Sequence, residues 1–496
     1  MDPQQQLSRR QLLTLAGASA GLGVLGGSGA GLARGRPSTL NGLRSAVHGP
    51  VFSAGQTGYL QAAQLYNERF DRIRPLAVVR PQVAAGVQGA VRWAVSRGVG
   101  VRARSGGHSY AGYSTLNGGV VIDLRGLRGV RVNRDAGTAT VGAGTPLIDL
   151  YAGLARAGAT LPGGSCPSVG IAGVTLGGGM GLAGRAHGLT CDHLVGARLV
   201  TADGRLRSVD ARSDPDLLWA LRGGGGGNFG VVTDFTFRLQ RLPAAATYFF
   251  LSYPWSSAAE VLHTWMRWAP HTDPRITSIL HLQVSAGRPS VSITGQFLGA
   301  EPQLSGPLRT MLRLPGASLV AGSESYLALQ LRWAGCAGIA EPACHTVGTA
   351  PGGTLARASF RAKSDYVRTP ISEAGAHTLV AAVAARGGAP GSGAVLFDSY
   401  GGAINRVAPQ ATAFVHRDQL CAIQYLSYDG DLGWLNRTWG AMRPYVSGQA
   451  YQNYIDPNLK DWQRAYYGCN YRRLVATQQA YDPDHFFNFP QAVGHR

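Results

Sequence analysis

Cysteine is scarce in this chain and badly spaced for metal binding. Its six cysteines, Cys166, Cys191, Cys336, Cys344, Cys421 and Cys469, form no CxxC pair and no Cys/His cluster with zinc spacing, so no metal site is expected. The GxxxxGK[ST] pattern is absent too, which excludes a P-loop. Acidic residues are few: 27 Asp and Glu stand against 46 Lys and Arg, a formal charge of +19. Such a field attracts polyanions, but the basic residues are scattered singly rather than gathered in a run or stripe, so no nucleic-acid partner is expected. No internal repeat is present. A hydrophobic share of 45% is too low for a multi-span membrane protein.

The one extended weakly apolar stretch lies at the N-terminus. Ser8-Arg9-Arg10-Gln11-Leu12-Leu13 precedes an Ala/Gly/Leu segment reaching Ala33. Residues 1–33 thus have the charged start, apolar middle and small-residue end of a signal peptide, and the paired arginines resemble a twin-arginine (Tat) signal. The stretch is too rich in glycine for a good spanning helix, so no membrane span is expected in the mature protein. Outside the cell, Cys336 and Cys344 would suit a small-loop disulfide, and the sequence leaves open whether it forms.

Glycine is in excess, 70 of 496 residues, about twice the usual share. Many of these glycines cluster between residues 86 and 230, as expected where backbone must approach a ligand closely. Short apolar runs at Leu76–Arg80, Val101–Arg104, Val120–Leu124, Val130–Val132 and Ala139–Val141 predict strands, and Val83–Arg97 and Pro146–Ala157 predict helices. Leu194–Val200 and Arg205–Val209 predict a hairpin across Asp203-Gly204. This mixture gives an α+β domain over residues 40–242. Residues 243–445 read as a second α+β domain, an antiparallel sheet covered by helices, with strands at Ile276–Val284 and Val291–Phe297 and a helix at Ala258–Trp268. Residues 446–496 are expected to return to the first domain.

Three separate glycine-rich loops stand out: Arg104–Tyr110, Pro162–Gly181 and Gly223–Gly230. Exposed backbone N–H groups in such loops can cradle phosphate. Three of them, rather than one GxGxxG, suggest a long diphosphate ligand wrapped by backbone. His108 and Cys166 each sit inside one of these loops.

RSGGHSYAGYS, GSCPSVGIAGVTLGGGMGL, HGLTCDHL and RGGGGGNFGVVT, in that order and followed by YYGCNYRRL and YDPDHFF, resemble the berberine-bridge-enzyme-like and oligosaccharide oxidase branch of the vanillyl-alcohol oxidase superfamily. The resemblance covers nearly the whole chain after the signal. It implies a two-subdomain, PCMH-type FAD-binding domain and a flavin bonded twice, through His108 to the 8α-methyl and through Cys166 to C6. Further cofactor contacts are implied at Arg104, Ser105, Gly106, Gly107, Ser109, Gly164, Gly170, Gly173, Gly177, Gly230, Val232 and Asn470. A cofactor acquired before export would suit the Tat route, which moves folded proteins.

For catalysis the resemblance implies Tyr454 as base, on a strand carrying Tyr451-Gln452-Asn453-Tyr454, with Asp398 as its carboxylate partner. The berberine bridge enzymes have a catalytic glutamate where this chain has Gln424. Glutamine is no base, so ring closure is disfavoured and oxidation of an alcohol or sugar favoured, with Gln424, Tyr451, Tyr113 and Tyr400 as substrate contacts. Val169 matches the position that is valine in oxidases and bulkier in oxygen-shy dehydrogenases. The reading is a secreted FAD oxidase of a carbohydrate or glycosylated metabolite, using O2 and yielding H2O2. The alternatives are a tailoring oxidase of a polyketide or peptide alcohol, and a non-catalytic flavin- or polyanion-binding protein.

Overall fold

The computed structural model describes residues 39–387 and 391–495, so the expected signal segment 1–33 lies outside the described residues. The chain begins with a four-stranded mixed sheet. Its strands are β1 (Val51–Ser53), β2 (Ala77–Val79), β3 (Val101–Arg104) and β4 (Val120–Asp123), in the order β1-β2-β4-β3. β4 runs parallel to both β2 and β3. All three residues of β2 and all four of β4 are buried, as the apolar runs require of strands covered on both faces. Helix Ala84–Val95 links β2 to β3 and buries Val87, Ala90, Val91 and Ala94.

An antiparallel sheet follows, built from β5 (Val130–Asn133), β6 (Thr138–Gly142), β8 (Leu194–Val200), β9 (Leu206–Asp210) and β10 (Val231–Arg238), in the order β5-β6-β10-β8-β9. The hairpin expected across Asp203-Gly204 is present as β8–β9. The short β7 (Ala159–Thr160) pairs with β11 (Gln240–Arg241). These two sheets share one core, which also takes in Trp462, Tyr467, Leu474 and Phe487 from the last fifty residues.

The third sheet is antiparallel and seven-stranded: β12 (Ala246–Tyr253), β13 (Ile276–Ser285), β14 (Arg288–Phe297), β15 (Ser318–Glu324), β16 (Arg361–Val367), β17 (Gly393–Ser399) and β18 (Cys421–Ser427). Its order is β15-β12-β14-β13-β17-β18-β16. β14 starts three residues before the expected Val291, because Ala286 and Gly287, both at positive φ, form a two-residue turn that pairs Ser285 with Arg288. One face of this sheet packs against helices Ala258–Trp268, Glu373–Ala384 and Leu432–Met442. Its other face carries Ile279, Leu396 and Leu426, packed with Tyr326, Leu329 and Trp333. The α+β class and the helix-covered antiparallel sheet are as the sequence suggested. Cys336 and Cys344 form a disulfide, their Cα atoms 5.9 Å apart.

Two polar anchors set how these parts meet. Arg185 is buried in the segment Gly184–His187, and its guanidinium donates to the carbonyls of Tyr400 (2.9 Å), Pro270 (3.0 Å) and Thr272 (2.8 Å), which flank β17 and β13 of the seven-stranded sheet. Asp123, at the end of β4, is fully buried and accepts from Arg80 (3.2 Å), Arg104 (3.2 Å) and Arg125 (2.7 Å). Burial alone would raise the Asp123 pKa, but Arg104, Arg125 and Arg80 together hold it well below the usual carboxylate range. A depressed folded-state pKa contributes stability that is complete above the unfolded value of about 3.9 and is lost as pH falls through the lower folded value. Asp123→Ala strands three guanidiniums around one site and should cost about 3–5 kcal/mol, read as a lower urea midpoint at pH 7. The deficit against wild type should shrink towards pH 2; a pH-independent difference would mean that charge is not what Asp123 contributes.

Candidate active site

β3 ends in Arg104 and runs straight into the first glycine loop. Gly107 has φ 73°, a left-handed turn position. At Gly106 there is no room for a side chain: a Cβ would stand 2.3 Å from the backbone N of Gly170 and 2.4 Å from the carbonyl O of Ser168. At Gly170 a Cβ would stand 1.9 Å from Ser105 Oγ. The first two glycine loops therefore touch backbone to backbone. Ser105 Oγ donates to the Ala143 carbonyl at 2.6 Å and fixes the contact to the second sheet.

A cavity of about 310 Å³ opens beside this contact. Ser105, Gly106, Gly107, His108 and Ser109 line it from the first loop, and Gly164, Cys166, Val169, Gly170 and Gly173 from the second. Gly230 and Val232 line it from the third, with Gly226 and Gly227. Gly173 faces this space with nothing within 4 Å of where its Cβ would be. It is exposed within a helix, Ile171–Leu176, whose other residues are all buried. Three glycine-rich loops lining one space, left open where side chains are missing, fit a dinucleotide held by backbone.

His108 stacks on Tyr66, with ring centroids 4.0 Å apart and planes at 18°, and its Nε2 lies 2.9 Å from Ser168 Oγ. Burial lowers its pKa to about 3, although the Ser168 main chain opposes that shift, so the imidazole is neutral at pH 7. Cys166 is a half-buried free thiol.

The opposite wall comes from the seven-stranded sheet. Side chains alternate along a strand, and Leu396 pairs with Gln424 while Asp398 pairs with Ala422. Asp398 and Gln424 are thus diagonal neighbours on one face, and both line the cavity. Gln424 Nε2 donates to the Tyr110 hydroxyl at 2.5 Å. Tyr454 completes this wall, its ring parallel to that of Tyr110 at 5.2 Å and edge-on to Tyr451 at 4.9 Å.

Several expected residues lie elsewhere. Arg104 sits beneath the loop on Asp123 and the Ala62 carbonyl, outside the cavity wall. Asn470 donates to the carbonyls of Pro409, Thr412 and Ala413, also away from the cavity. Gly177 stands behind the wall, where a Cβ would meet Asn453 Oδ1 at 2.1 Å. Tyr400 is fully buried, with its hydroxyl 2.9 Å from that of Tyr366, and does not reach the cavity. Tyr451 lines the cavity, but its hydroxyl accepts from the backbone N–H groups of Gly179 (3.0 Å) and Met180 (3.3 Å), so it holds the second glycine loop. Tyr113 lies beside Phe489, 5.3 Å between centroids, at an end of the cavity shared with Arg102. The segment expected as a strand is instead a 3-10 turn, Gln452–Tyr454. The backbone curls so that Gln452 and Asn453 pack on Gly177, and Tyr454 N bonds the Tyr451 carbonyl at 2.9 Å.

An FAD-binding-domain family model matches residues 75–210, and a model described as berberine and berberine like matches residues 450–494. The uncharacterized FAD-linked oxidoreductase YgaK of Bacillus subtilis (strain 168) is 33% identical over 464 residues, covering 91% of this chain and 98% of that protein. The structure of Physcomitrella patens BBE-like 1 superposes with a TM-score of 0.85 at 32% identity, covering 92% of this chain and all of that one. This chain belongs to the berberine-bridge-enzyme-like family of FAD-linked oxidoreductases. A xylooligosaccharide oxidase from Myceliophthora thermophila C1, solved with xylobiose, matches at TM-score 0.82 and 26% identity, covering 92% and 98% of the two chains.

In this BBE-like enzyme the cavity also involves residues that the sequence reading passed over. Tyr66, Phe360, Leu426 and Tyr428 form much of the wall near His108 and Gln424. Leu426 shares the two-residue alternation of Gln424 along β18, which was readable. Tyr66 and Phe360 lie in loops, where no periodicity marks them. A test of the cradle is Gly173→Leu: the far-UV circular dichroism should stay as in wild type, because the added side chain enters open space, while the purified protein should lose its yellow colour. Full retention of flavin would move the cofactor out of this cavity.

Proposed function

We propose that the enzyme holds FAD through both His108 and Cys166 and oxidises a hydroxyl of a carbohydrate or glycosylated metabolite, with O2 as the electron acceptor. The observation that carries this reading is that a neutral imidazole and a free thiol on two touching loops face the same cavity as Asp398, Gln424 and Tyr454. When bound, FAD supplies a hydride acceptor at N5 that O2 reoxidises with release of H2O2.

Tyr454 then takes the proton of the substrate hydroxyl at its phenolic oxygen. An unperturbed tyrosine has a pKa of about 10, so the proton needs a further acceptor, which the Asp398 carboxylate on the same wall supplies. Gln424 and Tyr110, already hydrogen-bonded to each other, present an amide and a phenol to the hydroxyls of a substrate. Val169, small and on the cavity wall, supports access of O2. The xylobiose-bound oxidase relative supports a sugar substrate.

A second reading has its own observation. Tyr66, Tyr110, Phe360 and Tyr428, with Ile279 and Leu426, make the substrate side of the wall largely apolar and aromatic, which favours an alcohol on a polyketide or peptide scaffold. Export through the twin-arginine route is part of the proposal, supported by residues 8–13 and by a disulfide of the kind oxidising compartments allow.

A peroxide assay across mono- and oligosaccharides and hydrophobic alcohols separates the two readings; turnover of sugars is expected, and turnover of hydrophobic alcohols alone would replace the first with the second. Tyr454→Phe should leave bound flavin bleachable by dithionite while slowing its reduction by substrate by about 10²–10⁴-fold. Near-normal substrate reduction in that variant would remove Tyr454 from proton transfer. Cys166→Ala should keep flavin attached through His108, so colour should remain with the acid-precipitated polypeptide; complete loss of FAD would contradict the double anchor.

A further inference from the structure

We propose that a small chamber beside His108 binds a tetrahedral oxyanion, inorganic phosphate or the head of a phosphate monoester, between Arg128 and Thr346. The chamber is distinct from the flavin cavity, and the proposal stands whether or not His108 bonds the cofactor.

The chamber has a volume of about 40 Å³ and is lined by Gln61, Arg125, Arg128, His345, Thr346 and Arg357 among others. It is reached from solvent at Arg128, which is exposed. Tyr66, Gly106 and His108 line both this chamber and the flavin cavity, so an occupant sets negative charge one residue away from the cofactor space.

The walls carry more positive charge than they neutralise. Arg80, Arg104 and Arg125 share the single carboxylate of Asp123. Arg357 is matched by Asp71 at 2.9 Å, and His345 by Asp149 at 3.0 Å. Arg128 has no such match. Among the described residues it forms no ion pair, and its Nη2 donates to the Thr349 carbonyl at 3.2 Å.

Thr346 gives an independent sign. The residue is 3% exposed, yet its Oγ1 has no hydrogen-bond partner among the described residues. A buried hydroxyl left unbonded is destabilising, and a ligand oxygen that accepts from it removes the penalty. Beside it Gly348, at φ 78°, makes room for an amide: a Cβ there would stand 2.3 Å from Gln61 Nε2. A guanidinium fork pairs with two oxygens of a phosphate, and the hydroxyl and amide are donors for the others. Chloride has no such set of oxygens.

The segment that brings Thr346 here is fixed in advance. The Cys336–Cys344 disulfide ends one residue before His345. Leu355 N donates to the His345 carbonyl at 2.8 Å, and Val347 N donates to the Leu355 carbonyl at 2.9 Å. A preformed site keeps the entropic cost of binding low.

The test uses the holoenzyme in phosphate-free buffer, titrated calorimetrically with sodium phosphate or glycerol 3-phosphate while sodium chloride holds the ionic strength constant. One phosphate should bind per chain, and the thermal midpoint should rise as it binds. Tighter binding of inorganic phosphate assigns the free ion and tighter binding of glycerol 3-phosphate the monoester head; either supports the site. Arg128→Gln should weaken binding at least about tenfold. Arg288→Gln, which removes an equal, exposed charge at the start of β14, should bind as wild type does. Thr346→Val should also weaken binding, yet keep the thermal midpoint in phosphate-free buffer at or above that of wild type, because it removes an unbonded hydroxyl with little change of shape. Wild-type affinity in Arg128→Gln would overturn the proposal. Equal losses in Arg128→Gln and Arg288→Gln would overturn it too, by tracing binding to overall charge. So would the absence of saturable binding of either phosphate, which would leave the chamber to water.

Discussion

The contact between the backbones of Gly106 and Gly170 is the constraint on which the site depends. Two loops from distant parts of the chain approach so closely that a single methyl group at either glycine would collide with main chain or with Ser105. Because of that approach, the residues just beyond each glycine pair, His108 and Cys166, open into one cavity. The contact is stiffened from outside. Arg104 anchors the start of the first loop to Asp123 and to the Ala62 carbonyl, while the second loop is tied back through Ile171 N to the Thr145 carbonyl and Leu147 N to the Val169 carbonyl. A site built from loops gains precision when its backbone, rather than its side chains, is what interlocks.

The seven-stranded sheet contributes a wall rather than a second cofactor site. Its two faces do different work because side chains alternate: Phe397, Ile423 and Tyr425 point into a core shared with helices, and Asp398 and Gln424 point the other way, into the cavity. The wall must be held against the glycine loops, and buried polar anchors do this. Arg185 reaches three carbonyls on two segments of the sheet side, Pro270 and Thr272 before β13 and Tyr400 after β17. Lys363 on β16 pairs with Asp456 at 2.6 Å, two residues beyond Tyr454, with both side chains almost fully buried. Buried ion pairs of this kind are weak sources of net stability, since desolvation offsets their attraction. Their use here is geometric: each fixes one register between the two halves of the site.

Much of this was legible in the sequence, for reasons that can be traced to particular residues. Leu194–Val200 and Ala258–Trp268 were readable to the residue because a period of two or of 3.6 marks them and turn or cap residues end them. His108, Cys166, Gly106 and Gly170 were readable because close backbone approach leaves a glycine signature. Arg104, Asn470 and Tyr400 carry the chemistry expected of site residues, but their partners are carbonyls, Asp123 and Tyr366, which are set by tertiary packing and leave no local pattern. The turn at Gln452–Tyr454 was unreadable for the same reason: what curls it is Gly177, far away in the chain. Tyr66 and Phe360 approach from loops, where sequence spacing carries no information about direction.

Tertiary burial also sorts the tyrosines around the site, which sequence alone treats as equals. Ionising a phenol requires solvation or a compensating partner. Tyr366 and Tyr400 are fully buried against each other, and burial drives both pKa values well above the usual range. Burial raises Tyr451 too; its hydroxyl accepts hydrogen bonds from Gly179, Met180 and Asn453, and these only partly offset the shift. These three are committed to structure. Tyr454 differs in being half-buried on the cavity wall, with Tyr110 stacked over its ring and the Asp398 carboxylate on the same wall. Tyr110, also half-buried on that wall, accepts from Gln424, which suits the proposed role of orienting a substrate hydroxyl. The deep burial of Tyr366, Tyr400 and Tyr451 thus supports the proposal of Tyr454 as base on grounds separate from the motif in which it lies.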